Sequence, residues 1–283
     1  MNIVLSVGID AILITLVLAF AAFGLAIIFG LTGVINLSHG AMLTLGAYFM
    51  WATSTAGIPF FLSVLIAAVG VGVFGLILEH FVIRHFYDKP FDTLLLTWAF
   101  FMIVTELIKI VFGVSIRSVA NPLPGAFNIS TFEFPIYRTL IALFSVLIIA
   151  TTVVVFYRTS IGIKIRALIQ NSEAACLLGL NIDYSYKVIF IFGSFIAGLS
   201  GALISPLLSI DPYIGNIFLI RSFFVVIVGG IGYLFGGTLV GSFLIGGSET
   251  LFALFTGQVF AQTVVFALAI VILRFRPFGI LHS

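Results

Sequence analysis

A chain of 283 residues that is 62% hydrophobic and only 8% charged, with a mean hydropathy of +1.33, is too apolar for a water-soluble fold, since soluble domains carry about 25% charged residues. A net charge of +2 excludes an electrostatic nucleic-acid partner, and a single cysteine, Cys176, excludes an intrachain disulfide or a cysteine-built zinc site. What remains is a polytopic integral membrane protein whose apolar surface is solvated by lipid.

The opening "MNIVLSVGID" lacks the basic stretch and small-residue cleavage site of a secretory signal, so the first apolar run is expected to be retained as a span. Runs of about 20 largely apolar residues, the length a helix needs to cross a bilayer, follow one another. They lie near 5–30, 40–56, 60–82, 93–112, 136–157, 187–205, 218–235, 237–256 and 259–274. The expected fold is an all-α polytopic transmembrane helical bundle of about eight to nine spans, with glycine-broken helices, forming a single transmembrane domain over residues 1–283. No stretch between the spans is long enough for a soluble domain, so any energy-consuming chemistry must come from another polypeptide.

Orientation follows from the basic residues. Arg84, Lys89, Arg158, Lys164, Arg166, Lys187, Arg274 and Arg276 collect on one side, and little beyond Arg117, Arg138 and Arg221 on the other. The first side is cytoplasmic, which leaves the N-terminus extracytoplasmic and the C-terminus cytoplasmic. The loop 113–135 is then extracytoplasmic, and its prolines and asparagines read as turns.

The first interruption is "GLTGVINLSHG", residues 30–40. Non-helical backbone at membrane depth costs several kcal/mol per unpaired group, on the order of 2–7. Remedies lie close by: Asn36 or Ser38 can cap a helix starting near His39, and Gly33 and Gly40 allow tight turns. A helix N-terminus inside the protein also aims N–H groups at an anionic or carbonyl ligand. The segment is either a broken helix lining a translocation path or a short interfacial loop with His39 at headgroup level. A second glycine-broken stretch, "GGIGYLFGGTLVGSFLIGG" at 229–247, pairs with it loosely. Paired interruptions point to a transport pathway, although glycine-rich packing faces give the same pattern.

Between 157 and 187 lies "YRTSIGIKIRALIQNSEAACLLGLNIDYSYK". Ile163, Ala167 and Gln170 fall at helical spacing; Asn171 reads as an N-cap, Ser172 and Glu173 as a first turn, and Gly179 as a C-cap. Two short helices at the membrane surface are expected. Their small residues suit close approach by another protein, while their basic residues would also suit anionic lipid headgroups.

"GLTGVINLSHGAMLTLGAY", "SIGIKIRALIQNSEAACLLGLN" and "FVVIVGGIGYLFGGTLVGSFLIGGSE", together with "LEHFVIRHF", "LLLTWAF" and "RFRPFGI", resemble the branched-chain amino-acid ABC transporter permease family, in its shorter membrane subunit. The sequence departs from the family pattern at His80, in the arginine-poor "RHFYDKPFD", and at Trp98 and Ala99. The resemblance implies a permease of the inner membrane that is not itself an enzyme and binds no cofactor, ATP being bound by partner subunits. Those partners are a second homologous permease, two cytosolic ATPase subunits and an extracytoplasmic solute-binding protein. It implies ATPase coupling by Gly162, Arg166, Ala167, Asn171, Ala175 and Gly179 in the loop 158–187. It also implies a pathway or inner gate at Gly33, Asn36, Ser38, His39 and Gly40. The implied cargo is a branched-chain or other hydrophobic amino acid. Urea or a short amide is the alternative cargo. An ion-coupled transporter or channel working alone is the alternative of another class; it would need midmembrane charges, and the chain has few.

Of the remaining polar residues, Glu249 lies in the apolar run "LIGGSETLFALF", where an acid belongs either to the pathway or gate or to hydrogen-bonded helix ends near the outer interface. Glu106 and Lys109 can pair at i and i+3. Asp211, Pro212 and Arg221 flank an extracytoplasmic turn, and Asp10 reads as interfacial. His80, His85 and His282 show no metal-ligand spacing, and no constellation suggests catalysis.

Overall fold

The computed structural model describes residues 2–281 apart from Asp88, Ser130, Thr131 and Ile231. His282 therefore lies outside the described residues. The long apolar runs form α1 (Asn2–Thr32), α2 (His39–Thr55), α3 (Phe60–Phe81), α4 (Pro90–Phe112) and α5 (Ile136–Arg158). Two short surface helices, α6 (Ser160–Gln170) and α7 (Ser172–Leu177), precede α8 (Ile182–Ile204) and α9 (Ile214–Gly229). The chain closes with α10 (Leu234–Ser242), a π-helical turn over Phe243–Gly247, α11 (Ser248–Thr256) and α12 (Gln258–Phe275). Among the described residues, seven helices are long and apolar enough to cross a membrane, the stretch Leu234–Thr256 counting as one. With 17 and 16 residues, α2 and α9 are shorter than the other runs.

Helix starts follow local chemistry. Pro90 opens α4 at a position where its missing N–H is not needed. Thr159, Asn171 and Asn181 cap α6, α7 and α8 by accepting from the backbone N–H of Gly162, Ala174 and Tyr184. The loop 113–135 departs from the expected run of turns. It holds a two-stranded antiparallel hairpin, β1 (Ala126–Ile129) and β2 (Phe132–Pro135), with Phe127 stacked on Phe134 at 5.3 Å. Alternating aromatic residues supply the cross-strand pair that a composition rich in proline and asparagine hid.

The centre of the bundle is α1 and α8, packed against α2, α3 and α9. Lipid offers apolar side chains no reason to leave it, so close backbone approach decides the packing. A Cβ on Gly24 would lie 2.6 Å from the Gly193 carbonyl oxygen, and one on Gly46 would lie 2.3 Å from that of Gly198. The outer helices α4, α5 and α12 turn Leu95, Ile110, Leu143 and Ile270 outward, as a lipid-facing surface requires.

The two ends of the bundle are distinct. At one, the strand-like pair Arg117–Ile210 exchanges two backbone hydrogen bonds of 2.8 Å and ties the loop before the hairpin to the loop before α9. Asp10 and Arg138 meet at the same end, 3.5 Å apart. At the other end lie α6, α7 and the Tyr87–Tyr186 ring contact at 4.8 Å.

Candidate functional site

The helix α1 stops at Thr32 because Gly33 takes φ +73°, a left-handed conformation that costs other residues about 1 kcal/mol or more. The chain then doubles back along α1. His39, at the start of α2, sets its Nε2 2.8 Å from the Ala21 carbonyl oxygen, roughly three turns before the end of α1. A carbonyl only accepts, so Nε2 carries the proton. Asn36, Ser38 and His39 are all fully buried. The α2 N-terminus therefore sits inside the protein, not at an interface.

The backbone of this break is satisfied partly from outside it and partly by its own residues. Leu37 N–H donates to Thr97 Oγ1 of α4 at 3.0 Å, and that hydroxyl reaches the Ile35 carbonyl at 3.2 Å. Val34 N–H donates to Thr32 Oγ1. Asn36 Oδ1 accepts from Ser38 N–H at 3.1 Å and from Ser38 Oγ at 2.5 Å. Neither Asn36 nor Ser38 caps α2 with its side chain; Asn36 is spent holding the turn itself. Gly40 is helical rather than a turn residue. It lies at the crossing with α9, where an added Cβ would come 2.8 Å from the Gly215 carbonyl oxygen.

The second break lies between α9 and α10, where Gly230 and Gly232 take φ +122° and +94°. Its orphaned carbonyls are met by the C-terminal segment: Ile280 and Leu281 donate to Val228 and Gly229. Both breaks rest on the same stretch of α1. Gly230, Gly232 and Leu234 border a small void with Ala26 and Gly30. A larger groove of about 570 Å³ runs from Phe29–Gly33 to Leu168, Asn171, Glu173, Tyr186 and Gly232. That groove places the inner end of α1 and the second break against the surface helices.

At the other end, Glu249 of α11 is 6% exposed and lies 2.6 Å from the Arg221 guanidinium of α9. The pair faces a cavity of about 370 Å³ walled mainly by Val17, Leu18, Ile204, Leu207 and Phe218. Arg221 Nε has no hydrogen-bond partner. Elsewhere Glu79 is fully buried near the inner end of α3 and accepts from the Tyr87 hydroxyl at 3.2 Å. Burial, and then the Glu79 carboxylate, push the Tyr87 phenol far above its ordinary range, so it stays a donor.

The surface helices are rigidly mounted. Arg166 of α6 donates to the Phe156 carbonyl of α5 and lies over the Phe156 and Tyr157 rings. Gly162 packs directly on the Phe156 backbone, and Gly179, at φ +84°, ends α7. The side chains turned outward include Lys164, Gln170 and Glu173 together with two large apolar ones, Leu177 at 90% exposed and Leu178 at 82%.

The family described as branched-chain amino acid transport system, permease component, matches residues 9–273. The chain belongs to that family. This permease is 27% identical to the high-affinity branched-chain amino acid transport system permease protein LivH of Salmonella typhimurium, over 93% of the chain and 90% of the relative. It is 25% identical to the corresponding permease BraD of Pseudomonas aeruginosa, covering 93% and 91%. It is 24% identical to a probable branched-chain amino acid transport permease LivH of Methanocaldococcus jannaschii, covering 95% and 90%. No solved structure matches. The permease is thus a multi-pass membrane transport component rather than an enzyme.

Within it the sequence-derived positions divide. Gly33, Asn36, Ser38, His39 and Gly40 come together at the first break, while Glu249 stands apart in the cavity at the opposite end. Among the expected coupling positions, Gly162 and Ala175 are buried and face the permease, Arg166 and Ala167 are half-buried, and Asn171 and Gly179 are exposed. Arg221 does not flank a turn; it projects from α9 onto Glu249. Sequence reasoning missed Thr97, Glu79, the role of Arg221 and the exposed Leu177–Leu178 pair. The lone arginine inside the apolar run "NIFLIRSFFVV" was the available signal for Arg221.

Proposed function

We propose that this permease is the membrane-spanning subunit of a binding-protein-dependent ABC importer for branched-chain or other hydrophobic amino acids. It sits in the inner membrane with its N-terminus extracytoplasmic and its C-terminus cytoplasmic. Nine passages follow if α2 and α9 cross through the bundle interior, where protein rather than lipid satisfies the flanking breaks. Its partners are a second homologous permease, two cytosolic ATPases and an extracytoplasmic binding protein. The printed names of the relatives support the cargo.

The observation that carries the reading is the mounting of α6 and α7. ATPase closure can do work only on something stiff, and Arg166 and Gly162 brace α6 on α5 while Leu177 and Leu178 project outward. The groove behind them reaches both glycine breaks. Displacing the pair would therefore shift the end of α1 and the two glycine breaks together, the coupling that alternating access needs. With Cys176 replaced by serine, a cysteine at Leu177 should crosslink to an ATPase subunit in the assembled complex. Crosslinks that reach phospholipid alone would overturn the importer reading.

A further inference from the structure

The cavity holding Arg221 and Glu249 has a chemistry that the transport role does not itself assign. It presents the Arg221–Glu249 pair, 2.6 Å apart, at the edge of a volume of about 370 Å³; Arg138 also borders that volume, but its charge is met by Asp10 at 3.5 Å. Small-molecule sites begin at about 300 Å³. Much of the rest of its wall is apolar, with Val17 and Leu18 from α1, Leu207 ahead of α9, and Phe218 one turn before Arg221, while Thr250 and Gln258 add polar groups at its edge. Among the described residues the buried Arg221 Nε has no hydrogen-bond partner, so the hydrogen-bonding capacity of the guanidinium is not exhausted by Glu249.

We propose that this cavity is a substrate subsite for the zwitterionic head of a free amino acid, Arg221 taking the α-carboxylate and Glu249 the α-ammonium, with the aliphatic side chain against Phe218 and Leu18. The proposal rests on the importer reading and names the place inside the permease where cargo is recognised after release from the binding protein.

Charge balance selects this ligand class. Opening a desolvated ion pair for a guest is strongly unfavourable when one partner is left unmatched. An anion would satisfy Arg221 and strand Glu249, and an amine would do the reverse. Urea could hydrogen-bond to both but would neutralise neither and would leave the apolar wall empty. Only a molecule bearing both charges on adjoining atoms exchanges one ion pair for two. A planar guanidinium suits a carboxylate, which it can grip bidentately.

The test uses the complete importer in proteoliposomes with its binding protein. Replacing the pair together, Arg221→Met with Glu249→Leu, leaves no uncompensated charge, a change that buried pairs commonly tolerate. The double variant should co-purify with its ATPase subunits, while ATP-driven leucine uptake falls about tenfold or more. Uptake at the wild-type rate would overturn the subsite. So would ATP-independent leucine leakage, which would mark the pair as a lock. Should the variant fail to assemble, a diazirine-bearing leucine photolysed in the wild-type complex decides instead. Labels on Leu18 or Phe218, removed by excess leucine but not by excess urea, support the subsite, and labels confined elsewhere refute it. A wild-type importer without any ATP-driven amino-acid uptake would remove the proposed function itself, a different result from wild-type uptake that the double variant retains.

Discussion

Replacing Thr97 by valine isolates the support given to the first break. The side chain is fully buried and valine nearly matches its shape, so packing changes little. What disappears is the acceptor for Leu37 N–H at 3.0 Å and a hydroxyl proton shared between the Ile35 carbonyl at 3.2 Å and the Leu94 carbonyl of its own helix at 3.1 Å. A buried donor left without a partner costs about 1–3 kcal/mol. The carbonyl keeps a second lone pair and adds less, so the loss should be about 2 kcal/mol, or roughly 30-fold in the folding equilibrium. Thr97→Ser keeps the hydroxyl and sheds one methyl, at about 0.8 kcal/mol. Alanine loses both and should cost about 3 kcal/mol. Unfolding in mixed SDS micelles can be followed by the fluorescence of Trp51 and Trp98, the latter adjacent to the site. The order serine, valine, alanine, from mildest to most severe, is expected. Valine no worse than serine would refute the view that a side chain of α4 supplies what this break lacks.

Gly40→Ala should destabilise the permease by about 1–3 kcal/mol in the same assay, because the new Cβ would fall 2.8 Å from Gly215 O and 3.0 Å from the Phe101 ring. Gly8→Ala, which meets nothing within 4 Å, serves as the control and should be neutral or stabilising. Arg166→Ala removes the brace between α6 and α5, so ATP hydrolysis by the assembled importer should continue while uptake per ATP falls. Equal losses in both would place Arg166 in assembly instead of coupling.

Much of this architecture can be read along the chain, for reasons of range. Most of the helices, the Asn171 cap and the left-handed Gly179 depend on neighbours within a turn or two and stand where periodicity and residue type place them, but the run expected to span 218–235 is broken after Gly229, where Gly230 and Gly232 take positive φ. The first break was legible as a break, but how it is satisfied was not. Asn36 had an equally good local partner in the next helix, and only folding brings Thr97, 60 residues away, onto Leu37. Arg221 failed for the same reason: 28 residues separate it from Glu249, and no local pattern joins them. In the surface helices small residues do mark close approach. The approach at Gly162 is to the permease's own α5, whereas the large leucines were free to face outward.

At 31 residues, α1 runs about 46 Å, well beyond the roughly 30 Å of hydrocarbon it crosses. Val17 and Leu18 form part of the outer cavity, Ala21 holds the histidine, Ala26 and Gly30 back the second break, and Phe29 to Gly33 border the groove beneath the surface helices. One unbroken rod thus borders both cavities and both breaks. Its tilt is a single mechanical coordinate shared by all four, so a movement of α1 at one of them is felt at the rest.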